Sequence, residues 1–181
     1  MQKRGRVNQP AKRGPVYLWT GIGAGKTSYA LGVALREVGH GRKAIIVQFM
    51  KGRKDIGEYK IAKRLKPQYE IYQFGRRGWV DLHKPSQKDV ALAHKGLEFA
   101  KQCLKRKPSL LVLDELALAL AFKLLHIREV VALIEKVPPQ TALYITGRFA
   151  PRELMEKSDY VTEFITLKQP KNIKAKKGIE F

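Results

Sequence analysis

The chain is poor in the residues that several protein classes depend on. It has one cysteine, Cys103, which excludes an internal disulfide and a cysteine metal cluster. Its 4 histidines are scattered and form no evident catalytic triad. Long hydrophobic runs are missing: the longest, Leu110 to Phe122, is interrupted by Asp114 and Glu115, far from the ~18 apolar residues of a membrane span. The short apolar run Val16 to Trp19 behind the basic start is too little for a signal peptide, so a cytoplasmic protein with no membrane contact is expected. Repeats and low-complexity linkers are absent as well. Residues 1–181 are therefore read as a single domain, with a basic N-terminal arm over about 1–14 and a basic C-terminal tail over about 168–181. Acidic residues are scarce, 16 Asp plus Glu against 36 Lys plus Arg, for a formal charge of +20. Net charge governs association rather than fold, so the excess fits either an anionic partner or simple solubility.

What is present describes a folded α/β chain. Apolar residues are 44% of the total and charged residues 29%, the balance of a globule with a sizeable core. Six apolar runs read as buried parallel strands: Val16–Trp19, Ala44–Phe49, Glu70–Phe74, Leu110–Leu113, Thr141–Ile145 and Val161–Leu167. Helical periods lie between most of them. Tyr29, Ala30, Val33, Ala34 and Val38 share one face, and Gly39 and Gly41 supply a stop. Ser86 with Asp89 forms a capping-box pattern before Val90, Ala93, Leu97, Ala100 and Leu104. Ile127, Val130, Val131 and Ile134 make a shorter helix closed by Pro138-Pro139, and Pro151 suits the start of another. Strands alternating with helices imply right-handed crossovers and a mostly parallel sheet.

Thr20-Gly21-Ile22-Gly23-Ala24-Gly25-Lys26-Thr27 falls between the first strand and the first helix, the context that a phosphate-binding loop requires. Glycines let backbone N–H groups turn toward phosphate oxygens, the helix start adds its positive end, and Lys26 adds a point charge. Thr27 offers a hydroxyl to Mg²⁺. Thr20 stands where the usual pattern has its first glycine. A second element lies at Leu110-Leu111-Val112-Leu113-Asp114-Glu115, which places two carboxylates at the carboxyl edge of a buried strand, where parallel sheets bind ligands. One of them can hold Mg²⁺ directly or through water while the other orients it. The alternative is that both acids cap a helix starting at Leu116.

These strings belong to a longer ordered set. Gly21–Thr27, Val38-Gly39-His40-Gly41, Val47–Gly52, Gly57-Glu58, Leu113–Leu116, Thr146-Gly147-Arg148 with Ala150-Pro151, and Lys176–Phe181 follow one another along the chain. In this set the chain resembles the P-loop type of ATP:cob(I)alamin (corrinoid) adenosyltransferases, from about Tyr17 to the end. The resemblance implies a P-loop NTPase, RecA-like fold and transfer of the 5′-deoxyadenosyl group of ATP to cobalt(I), with triphosphate released. It also implies Mg²⁺ as cofactor, ATP and a corrinoid as substrates, and a homodimer. Gly21, Ile22, Gly23, Ala24, Gly25, Lys26, Thr27 and Ser28 are the implied ATP contacts. Lys26 and Glu115 are the implied catalytic residues, and Thr27, Asp114 and Glu115 the implied metal ligands. Cobalt(I) is a strong nucleophile, so no activating base is required.

The corrinoid half rests on Trp79, Phe74 and Arg148. In the family, aromatics after the third strand cover the lower face of cobalt, and here Phe74-Gly75-Arg76-Arg77-Gly78-Trp79 has altered spacing. Phe74 also reads as the last strand residue, Trp79 as a hydrophobic anchor and Arg148 as an ion-pair partner. Ala24, Ala117 and Gln169 are further departures from the family pattern. Because cobalt must be reduced, an acidic flavodoxin-like electron donor is an expected partner for the basic surface. Two other readings stand beside this one: a P-loop ATPase or kinase that releases ADP, and a nucleotide-regulated nucleic-acid-binding protein. The last ranks lowest, since no nucleic-acid-reading motif is present.

Overall fold

The computed structural model describes residues 13–78, 80–172 and 174–179, so Trp79 and most of the basic N-terminal arm lie outside the described residues. Six strands, β1 (Val16–Thr20), β2 (Ala44–Phe49), β3 (Tyr69–Phe74), β4 (Leu110–Asp114), β5 (Ala142–Thr146) and β6 (Tyr160–Glu163), form one sheet in the order β3-β2-β4-β5-β1-β6. Every pairing is parallel. The connections carry α1 (Lys26–Gly39), α2 (Gly57–Ala62), α3 (Gln87–Lys105), α4 (Leu116–Ala121), α5 (Ile127–Ile134) and α6 (Arg152–Lys157). This is the doubly covered α/β sheet that the alternation of elements predicts.

Its strands are apolar throughout because both faces are covered. All six residues of β2 are buried. Ile45, Val47 and Phe49 join Leu111 and Leu113 in a core with Leu97 and Leu104 of α3 and Val130 and Leu133 of α5. The alternate residues Ala44 and Ile46 join Leu110 and Val112 in a second core with Ala30 and Ala34 of α1. The strand period of two thus feeds one layer of helices on each side.

Local signals set most boundaries. Asp89 N–H donates to the Ser86 hydroxyl and Ser86 N–H to the Asp89 carboxylate, both at 3.2 Å, completing the capping box of α3. His40 closes α1, its N–H donating to the carbonyls of Arg36 and Glu37. Two differences from expectation have physical causes. α2 has only 6 residues and no side-chain cap, too short for a readable period. β6 ends at Glu163 rather than Leu167: Phe164 N–H still donates to Thr20 O at 2.9 Å, but β1 stops there and the chain follows the loop beyond it, Phe164 O accepting from Gly23 N–H at 2.8 Å. Because all strands run the same way, the carboxyl ends of β1, β2, β4 and β5 share one edge, with β5 lying between β1 and β4.

Candidate active site

The loop Thr20–Thr27 links β1 to α1 at that edge. Gly21 and Gly25 adopt φ of 93° and 100°, left-handed backbone that disfavours any side chain. Gly23 is glycine for a different reason: a Cβ there would lie 2.7 Å from the carbonyl of Phe164, which braces the loop from behind. Thr20 replaces the first glycine without strain because it is the last residue of β1, and its hydroxyl accepts from Ala150 N–H at 3.3 Å. Lys26 opens α1 and is only 6% exposed. Its ammonium donates to Gly21 O at 2.7 Å and to Gly23 O, spanning the loop. Burial pushes its pKa down, opposed by Glu115 and Asp114 and reinforced by Arg148. The first turn of α1 holds no acidic residue, so the positive helix end is left uncompensated by the helix itself.

Asp114, the last residue of β4, is fully buried and caged. Its Oδ1 accepts from the hydroxyls of Thr27 at 2.9 Å and Thr146 at 2.7 Å, and its Oδ2 from Gln48 at 3.1 Å and the Lys51 ammonium at 2.7 Å. Burial alone would raise its pKa, but the Lys51 charge and these hydrogen bonds outweigh it and hold the carboxyl below its usual range. Lys51 gains reciprocally, its ammonium held above the usual lysine range by Asp114 despite burial. The cage ties β1, β2, β4 and β5 together through α1 and the strand ends.

Glu115 behaves differently. It turns off β4 with φ of 64°, an uncommon conformation for a residue with a side chain. Its backbone N–H donates to Thr146 Oγ1 at 3.0 Å, but its side chain makes no cap to α4, and Oε2 is buried with no hydrogen-bond partner. Burial, and then Asp114 beside it, push its pKa up. The helix-capping alternative is therefore not how this carboxylate is used. An unpartnered buried carboxylate oxygen is costly, and this one belongs to a residue beside the phosphate loop.

Two cavities open at this edge. One of about 130 Å³ is lined by Gly23, Ala24, Gly25, Lys26, Thr27, Ser28, Glu115 and Arg148. The other, of about 670 Å³, is lined by residues following β2 and β3, among them Met50, Lys51, Arg53, Ile56, Arg76 and Arg77, and by Ala175 of the tail. Lys51 on the wall of the larger cavity lies 3.1 Å from the Thr27 hydroxyl on the wall of the smaller. Six of the eight expected ATP contacts line the small cavity. Gly21 instead gives its carbonyl to Lys26, and Ile22 is 65% exposed at the loop tip. Arg148 joins Glu115 there, beyond β5. Phe74 packs into the core against Phe99, ring centroids 5.3 Å apart, and lines neither cavity. Gln48 and Thr146 emerge as partners of Asp114. The signal for Gln48 was its place as the one polar residue in the run Ala44–Phe49.

A strand–glycine loop–helix with Lys26 and Thr27, facing the carboxylates at the end of a parallel strand one position removed in the sheet, defines a P-loop nucleotide-binding α/β protein. The comparison with known families narrows the class, because the ATP:corrinoid adenosyltransferase BtuR/CobO/CobP profile matches residues 12–181. The chain belongs to that family. It is 36% identical over 173 residues to the corrinoid adenosyltransferase of Pseudomonas aeruginosa, covering 94% of this chain and 85% of that protein. Identity is 34% over 173 residues to the corrinoid adenosyltransferase of Escherichia coli K12, with 94% and 87% covered. A corrinoid adenosyltransferase of a Sinorhizobium species is 34% identical over 175 residues, with 94% and 81% covered.

Proposed function

We propose that the chain transfers the 5′-deoxyadenosyl group of ATP to the cobalt of a corrinoid, and that the features of its carboxyl edge divide this task. Membership of the adenosyltransferase family carries the reaction. The pairing of a small cationic phosphate cradle with a larger cavity, joined at Lys51 and Thr27, supports the division. Cobalt(I) attacks C5′, donating the electron pair of the new cobalt–carbon bond and becoming formally cobalt(III). The C5′–O bond breaks, and its electron pair leaves on the triphosphate. The protein must hold C5′ in line and stabilise the departing anion. Loop amides, the start of α1, Lys26 and Arg148 surround the small cavity and suit the second task.

Mg²⁺ fits the Thr27, Asp114 and Glu115 group. Glu115 Oε2 is unpartnered and Thr27 lines the same cavity, whereas all the acceptor positions described on Asp114 are taken. Thr27 and Glu115 would hold the ion, with Asp114 fixing the Thr27 hydroxyl. Among the described residues no three His, Cys, Asp or Glu side chains converge, a sparse arrangement suited to a cation that keeps water and phosphate ligands. Bound there, Mg²⁺ supplies charge neutralisation for the triphosphate.

The larger cavity is assigned to the organic substrates, with Trp79 as a shield for the lower face of cobalt. Trp79→Ala should reduce turnover from cob(II)alamin far more than turnover from pre-reduced cob(I)alamin; equal losses with a lowered melting temperature would make Trp79 a packing anchor. A homodimer in the cytoplasm served by an acidic electron donor completes the reading, and no described helix is long and apolar enough to cross a membrane. Donor-driven adenosylation should fall with salt while chemically driven adenosylation does not. Sedimentation tests the dimer. The decisive assay is anaerobic incubation with ATP, Mg²⁺ and chemically reduced cobalamin: the visible spectrum of a cobalt–carbon bond is expected, and its absence would overturn the proposal.

A further inference from the structure

Lys51 has no assigned part in the reaction, yet the fold directs it with care. Met50, with φ of 57°, turns the chain off β2 and donates its N–H to Phe74 O at 2.9 Å. A Cβ on Gly75 would lie 2.3 Å from the Met50 carbonyl carbon, and one on Gly52 2.5 Å from Gly75 O. Only glycines allow the two strand ends to press backbone against backbone in this way, and that contact fixes where Lys51 leaves the chain. Its side chain lines the larger cavity, and its ammonium reaches Thr27 Oγ1 at 3.1 Å and Asp114 Oδ2 at 2.7 Å. An ammonium has three N–H donors. Two are committed to these oxygens.

We propose that Lys51 is a second triphosphate-binding cation, which meets the anion from the side of the organic substrate while Lys26 meets it from the loop. The proposal rests on the adenosyl-transfer reading and deepens it. In that reaction negative charge grows on the triphosphate oxygen released by C5′, at the end of the anion nearest the adenosyl group. Lys26 is committed to the loop carbonyls of Gly21 and Gly23. A cation at the junction of the two cavities is placed to meet the nucleoside end instead. Asp114 does not depend on Lys51 alone, since Thr27, Thr146 and Gln48 also donate to it, so the ammonium can shift toward an anion without stranding a bare carboxylate.

The test is direct binding of inorganic triphosphate, adenosine and Mn²⁺ alone to the wild type, Lys51→Met and Lys51→Arg, by titration calorimetry and, for Mn²⁺, electron paramagnetic resonance. Lys51→Met should weaken triphosphate by about 10-fold or more and leave adenosine within about 2-fold. It should also tighten Mn²⁺ several-fold, because the ammonium beside Thr27 and Asp114 no longer repels the ion. Lys51→Arg should restore triphosphate to within about 3-fold. Unchanged triphosphate binding in Lys51→Met overturns the inference alone. Joint loss of triphosphate and Mn²⁺ with a lowered melting temperature overturns it in favour of a structural pin. A wild type that does not bind triphosphate overturns both the inference and the reading beneath it. Should Lys51→Met fail to fold, Lys51→Met with Asp114→Asn, measured against Asp114→Asn, removes both charges of the pair and carries the same comparison.

Discussion

Two buried acidic clusters sit at opposite ends of the same sheet. Near the start of β3, Glu70 is 5% exposed and fully partnered: Lys43 lies 2.6 Å from Oε1, Arg106 also donates to Oε1, and the Tyr72 hydroxyl donates to Oε2. These donors outweigh burial and hold its pKa at about 2. At the carboxyl end Asp114 is equally saturated, but Glu115 beside it has an orphaned oxygen, a raised pKa and left-handed backbone. Glu70 lies beside no described cavity, whereas Glu115 lines the phosphate cradle. Among the described residues, three of the five non-glycine positions with positive φ, Met50, Glu115 and Phe149, follow β2, β4 and β5 at that same edge. Saturation marks a carboxylate that holds the fold. Unspent hydrogen-bonding capacity and strain, at ~1–3 kcal/mol per residue, mark one held ready for a ligand.

The contrast can be broken most severely at Lys26. Lys26→Ala should lower kcat/KM by about 10³-fold or more, near 4 kcal/mol of transition-state stabilisation, with the circular dichroism spectrum and melting temperature little changed. Unchanged turnover would remove the loop from the chemistry. Glu115→Gln comes next, with an expected loss of about 10²-fold in activity and weakened Mg²⁺ dependence. Because the charged form is disfavoured in the folded protein, stability should hold or rise slightly, as happens where function sets the residue. A Glu115→Gln protein that is active but less stable would reverse the assignment.

Glu70→Gln should do the opposite, costing on the order of 2 kcal/mol of stability in denaturant titrations while leaving kcat intact. The pH dependence sharpens the point. The folded pKa of Glu70 lies below its ordinary 4.5, at about 2, so its contribution is present above pH 4.5 and is lost as pH falls through about 2. Wild-type and Glu70→Gln stabilities should therefore converge between those values. A constant gap across that range would show that Glu70 acts by packing rather than by charge.

Much of this layout was legible in the residues. Buried parallel strands write themselves as apolar runs, and the Ser86–Asp89 box and the Gly25-Lys26-Thr27 junction are local signals with local causes. Short elements were not: α2 lacks a cap and a full period, and the end of β6 depends on where β1 stops, with Thr20 paired to Glu163, 143 residues further along the chain. The cage of Asp114 is hidden for the same reason. Its donors Thr27, Gln48, Lys51 and Thr146 come from distant stretches, and only the strand order brings them to one carboxylate. The orphaned oxygen of Glu115 is a packing outcome that no string of letters records.

The central claim is that the phosphate cradle holds a leaving group and is not itself the site of attack. Phosphorus NMR of the products, taken from an anaerobic reaction of ATP, Mg²⁺ and cob(I)alamin, tests it most directly. Inorganic triphosphate should accumulate in step with cobalt–carbon bond formation, with no ADP. ADP and orthophosphate in place of triphosphate would locate the chemistry at the γ-phosphate and contradict the account.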